Sequence, residues 1–107
     1  MSKININYDG KDYVLEYSRQ SVKTMEAQGF NLEEITSKPM TMIPMLFSGA
    51  FIKNHKGMKR ALVDEIYEEI GDKTNFMSAL MDMYAETLSA LTDDKDNEGN
   101  VAWAVVK

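Results

Sequence analysis

The 107-residue sequence contains one histidine, His55, and no cysteine. Ser-His-Asp catalysis would need His55 held between a carboxylate and an activated serine. Its neighbours Lys53, Asn54, Lys56 and Gly57 form instead a basic, glycine-containing connector, and no serine stands in a G-x-S-x-G elbow. His55 is therefore expected at the surface. The six glycines are isolated, with neither a G-x-G-x-x-G run nor a P-loop, so nucleotide chemistry has no foothold. Paired carboxylates occur at Glu33–Glu34, Glu68–Glu69 and Asp93–Asp94. Neighbours on a helix point about 100° apart and do not converge on one substrate. No catalytic residue, cofactor or metal ligand is expected from these patterns.

Two further constellations test that reading. Asp94, Asp96, Glu98 and Gly99 fall at positions 1, 3, 5 and 6 of a calcium-loop template. The template then requires a bidentate acid at position 12, where Val105 stands, and a helix where VAWAVV reads as a strand. A solvated acidic loop is expected. Lys53, Lys56, Lys59 and Arg60 suit phosphate or an acidic partner, but no interleaved aromatics are present to stack bases.

The net charge of −5 argues further against nucleic acid, whose phosphates supply most of such affinity. The charge is uneven. Residues 1–60 hold nine Lys/Arg against six Asp/Glu, and residues 61–107 hold three against eleven. That asymmetry fits solvated helix faces first, with head-to-tail contact between copies or steering of a basic partner as the alternative. No apolar run approaches the ~18–20 residues of a membrane span. The opening MSKININY lacks the apolar stretch of a signal peptide, and the absence of cysteine suits a reducing interior. A cytoplasmic, membrane-free protein is expected.

Adhesive surface is what remains. Nine methionines are many for this length, and Met40, Met42 and Met45 cluster, as do Met77, Met81 and Met83. Flexible, polarisable thioethers either fill irregular core gaps or repack against varied partners, and both readings stand. The candidate partner-binding residues are Met42, Met45, Phe51, Ile52, Met83 and Trp103.

A single domain over 1–107 must position these residues. Alternation in KININY and DYVLEY around Asp9-Gly10 predicts a β-hairpin at about 3–17. Ser18 can cap a helix at 19–28, with Val22 and Met25 inward, Gly29 past its end and Phe30 closing it. Asn31 with Glu34 starts a short helix at 32–37, which Pro39 ends. The apolar stretch at 42–54 predicts a helix with Pro44 in its first turn. Its stripe is Ile43, Leu46, Phe47, Ala50 and Phe51, with Met42, Met45 and Ile52 off it. Leu62, Val63, Ile66, Tyr67 and Ile70 predict a helix at 59–70. Phe76, Met77, Leu80, Met81, Tyr84, Leu88 and Leu91 predict another at 75–91, with Thr74 as a candidate cap. An acidic linker at 92–100 precedes an apolar strand at 101–106. That strand either joins the hairpin as a third strand or adds to a neighbouring copy. The fold class is α+β, predominantly helical, with an N-terminal hairpin packed on four to five helices.

In that order, an aromatic hairpin runs into YSRQSVKTMEAQGF, followed by LFSGAF, a long helix and the closing GNVAWAVVK. The whole resembles the small tail assembly chaperones of long-tailed phages and prophages of Gram-positive bacteria. The resemblance implies a non-enzymatic factor of virion morphogenesis in the host cell cytoplasm. It would bind the tape measure protein, help recruit tail tube protein and self-associate along its client. A generic small interaction or regulatory adaptor of phage or bacterial origin is the alternative.

Overall fold

The computed structural model describes residues 3–90 and 104–105. Strands β1 (Ile4–Tyr8) and β2 (Lys11–Leu15) pair antiparallel from Ile4 opposite Leu15 to Tyr8 opposite Lys11. Asp9 (φ 52°) and Gly10 (φ 79°) make the two-residue connection, and such left-handed pairs match the twist of the strands they join. Four helices follow: α1 (Arg19–Ala27), α2 (Pro39–Gly49), α3 (Arg60–Glu69) and α4 (Lys73–Ala90). The architecture is α+β and predominantly helical, as the sequence predicts. Among the described residues the sheet has two strands. The linker at 92–100 and the strand at 101–106 lie outside the described residues, except Ala104 and Val105, which are exposed and unpaired in any strand.

Helix α1 begins and ends where its sequence requires. The Ser18 hydroxyl accepts from the Ser21 N–H at 3.1 Å, and the Ser21 hydroxyl accepts from the Ser18 N–H at 2.8 Å. Serine thus serves at both positions of a capping box. At the other end the Phe30 N–H reaches the Met25 carbonyl (3.0 Å) and the Gly29 N–H reaches Glu26 (3.0 Å), with Gly29 at φ 100°. That pattern is a Schellman closure, and it buries the Phe30 ring.

Three boundaries differ from the sequence reading. The expected helix at 32–37 is only a single 3₁₀ turn, Leu32–Glu34. Asn31 accepts from the Glu33 N–H, and the residue before Pro39 leaves the helical region (Lys38, φ −132°, ψ 57°). Pro39 starts α2 rather than merely ending what precedes it, because its fixed φ suits the first helical position. Pro44 then falls inside the helix and leaves Met40 without its usual donor, at an exposed place. Past Gly49 the amides of Ala50, Phe51 and Ile52 bond three residues back, to Phe47, Ser48 and Gly49, so α2 tightens and stops short of 54. Helix α4 starts at Lys73, so Thr74 lies within its first turn. The Lys73 ammonium donates to the Glu68 and Ile70 carbonyls at the end of α3.

Helix α2 runs through the middle of the core, touching α1, α3, α4 and the 3₁₀ turn. Phe47 meets Phe51, Tyr67 and Phe76 at ring separations of 5.1–5.6 Å, and Tyr84 packs on Tyr17 and Phe30 at 5.4 and 5.2 Å. At Gly49 the backbone of α2 lies against the Met25 side chain of α1. A Cβ there would stand 2.3 Å from the Met25 sulfur, and Met25 is itself 1% exposed, with nowhere to retreat.

A seam joins the chain just after the hairpin to the end of α2. Because the Ala50 N–H goes to Phe47, the Leu46 carbonyl is left over, and the buried Tyr17 hydroxyl donates to it. The Glu16 N–H donates to the Ala50 carbonyl (3.0 Å). Lys53 and Asn54 donate to the Glu16 carboxylate at 2.7 and 3.1 Å. Burial, with Tyr84 nearby, pushes the Tyr17 hydroxyl well above the usual phenol range, so it stays a donor.

Three outcomes are expected. Gly49→Ala should destabilise by about 1–3 kcal/mol through overpacking, and by clearly less in a Met25→Ala background, as measured by denaturant unfolding in a double-mutant cycle. Tyr17→Phe keeps the ring but orphans the buried Leu46 carbonyl, and should lower unfolding free energy by about 1–3 kcal/mol. The Glu16 carboxyl is held below its usual range by the Lys53 and Asn54 hydrogen bonds. Its contribution is therefore present above the unfolded carboxyl pKa and lost as pH falls through the lower folded value. Glu16→Gln should melt below the parent at pH 7, with the gap closing as the pH is taken down to about 3.

Candidate partner-binding surface

The six candidate residues do not converge. Met42, Phe51 and Met83 are 4%, 1% and 2% exposed and belong to the core of the chain. Met42 and Met83 were expected off their stripes, and that placement is corrected. A stripe assumes one buried face, but α2 is enclosed on several sides. On α4 the buried line is Leu80, Met83, Tyr84 and Thr87, with the Thr87 hydroxyl satisfied by the Met83 carbonyl (3.3 Å). Met42 even accepts the Asn31 N–H on its sulfur at 3.5 Å. Met45 and Ile52 are half-buried against the core, whereas Met40 stands 89% exposed. Trp103 lies outside the described residues.

His55 is also placed differently from the expectation. It is half-buried, its ring meeting Tyr13 edge-on at 5.2 Å, and its Nε2 accepts the Val14 N–H at 2.9 Å. An imidazole accepting at Nε2 carries its proton on Nδ1. Asn54 donates to the Val14 carbonyl at 3.3 Å, so the connector closes the outer edge of β2. Composition around residue 55 marks a basic surface loop. Only the fold brings the strand edge that recruits the ring.

Two open grooves lie among the described residues. One, of about 270 Å³, runs between the end of α2 and the start of α3. Its floor is Ile52, Met58 and Val63, and its rim carries Gln28, Lys56 and Arg60. The other, of about 370 Å³, lies between α1 and α4, with Val22 and Leu88 below and Arg19, Lys23 and Glu26 of mixed charge around them. An apolar floor with a cationic rim, as at the first groove, suits an amphipathic helix carrying acidic side chains. Lys56 and Arg60 were visible in the sequence as a basic group. Gln28 and Val63 were not assigned to it, since nothing local places α1's end or α3's inner face beside the connector.

Among the described residues no three His, Asp or Glu side chains gather to hold a metal ion. No helix among them is long and apolar enough to cross a membrane. The acidic run 93–98 lies outside the described residues.

Comparison with curated proteins and with solved structures returns no match in either set. The sequence does match, over residues 1–106, a family described as a domain of unknown function, DUF5055. That span takes in the hairpin, the seam and both grooves, and the chain therefore belongs to the DUF5055 family.

Proposed function

We propose that this protein is a non-enzymatic tail assembly chaperone of a long-tailed phage or prophage. In the host cytoplasm it would hold helical stretches of the tape measure protein and help tail tube subunits gather around them. The reading rests on the resemblance in segment order. The observation that supports it is the groove beside Ile52, with its apolar floor and its Lys56 and Arg60 rim. An apolar floor supplies non-directional adhesion to a helix, and rim cations speed encounter and set orientation without tight binding. Weak, reversible contact is what a factor that must leave before assembly ends requires.

The groove, and not Met42, is the place to test. Aspartate at residue 42 would bury an unpaired carboxylate and unfold the chain before any binding could be read. Lys56→Glu with Arg60→Glu should instead leave circular dichroism and melting unchanged, because both side chains are exposed. The pair should weaken binding to acidic helical tape measure fragments by about tenfold or more in titration calorimetry, with the loss shrinking at high salt. Unaltered binding would move the contact elsewhere. Failure of the parent chain to bind any tape measure fragment would favour the adaptor reading.

A further inference from the structure

The hairpin has two edges, and they are finished differently. On the outer edge of β2, the main chain of Val14 is taken by His55 and Asn54, and the Glu16 N–H by Ala50. In an antiparallel pair, residues facing each other alternate between exchanging both hydrogen bonds and pointing both groups outward. Val14 points outward, so its partner Asn5 does too, and by alternation so does Asn7 opposite Asp12. The main-chain groups of Asn5 and Asn7 find no partner among the described residues. Natural sheets protect such an edge with proline, bulges, inward charges or a covering loop. β1 has no proline or charge within Ile4–Tyr8, and pairs residue for residue without a bulge.

We propose that β1 pairs antiparallel with β1 of a second copy of this chain, about a twofold axis at Ile6, joining two hairpins into a four-stranded sheet. The strand is self-complementary in this register. Asn5 faces Asn7 of the second copy, so the two outward-pointing residues exchange both hydrogen bonds, and the symmetric pair repeats the exchange. Ile6 meets its own counterpart, and Ile4 meets Tyr8, on the face where all three are only half-buried within one chain. Lys3 falls opposite Asp9 of the second copy at both ends, so the charges flanking the strand are opposite in sign and attract. A second copy is favoured over Ala104 and Val105 of the same chain because these two are exposed and in no strand among the described residues, Val105 at 72%. Five residues of edge bury far less than the ~1,200 Å² of a standard interface, so the dimer is weak and concentration-dependent.

Sedimentation velocity on the full chain from ~10 μM to ~1 mM should show mass rising from monomer towards dimer. Amide exchange measured by NMR over the same series should slow at Asn5 and Asn7 as concentration rises. Asn5→Pro removes an outward N–H while sparing the ladder within the hairpin, and should stay monomeric at the highest concentration with its circular dichroism unchanged. A strict monomer with fast exchange at both asparagines overturns the proposal. So does protection that is independent of concentration, which would assign the edge to the chain's own C-terminal segment. A dimer that survives Asn5→Pro overturns it by placing self-association on another face. If that variant does not fold, the exchange series on the parent chain decides alone. No client is present in any arm, so the outcome stands apart from the tail-assembly reading.

Discussion

The rest of the molecule depends on how the carbonyl end of α2 is satisfied. A helix leaves its last carbonyls without intrahelical donors, and here those groups are buried, where each orphan would cost roughly 1–3 kcal/mol. Tightening past Gly49 accounts for some, and the segment after β2 supplies the remainder: the Tyr17 hydroxyl for Leu46 and the Glu16 amide for Ala50. Lys53, Asn54 and His55, just beyond, reach back to Glu16 and Val14. A two-stranded hairpin is marginal by itself in water. The seam makes it part of the domain, because the hairpin supplies the donors that α2 lacks and α2 supplies the cover that the hairpin lacks.

Close packing around α2 follows from the same arrangement. Gly49 is the last residue of α2, and its surroundings leave no room for a side chain. Those surroundings are the Met25 side chain, lying where a Cβ would be. Phe47 and Phe51 turn to α3, α4 and the hairpin, meeting Phe76 and Tyr13 edge-on and Tyr67 at a tilt. Methionine serves here as an adaptable filler, as Met25, Met42 and Met83 show by their burial. With these residues committed to the core, positive charge stands beside apolar side chains at the groove of Ile52, Met58 and Val63. A protein of net charge −5 thus presents a cationic rim at this groove.

Local signals gave much of this fold. Asp9-Gly10, the Ser18 cap, Gly29 with Phe30, and the spacing in α3 and α4 place their elements to within a residue or two, because each depends on neighbours in sequence. Pro39 and Pro44 were harder. Proline permits either a helix start or a stop, and the choice turned on what packs around residues 39–49. The candidate site was the least legible part. Whether Met42, Phe51 or Met83 faces a partner or the core depends on how many neighbours enclose a helix, and periodicity reports only that an apolar face exists.

The sequence by itself determined the α+β class, the hairpin and its turn, the caps of α1, and a lack of local catalytic or phosphate-binding motifs. These rest on φ preferences, side-chain periods and residue types, which act over a few residues. Tertiary structure alone decided that His55 serves a strand edge, that Tyr17 completes α2, that Gly49 yields its space to Met25, and that Lys56 and Arg60 border an apolar floor. The first three join groups far apart in the chain, 41 residues for Val14 and His55, 29 for Tyr17 and Leu46 and 24 for Met25 and Gly49. Nothing in the local sequence encodes such a distance. It is set when burial forces polar groups to find partners wherever the packed chain has brought them.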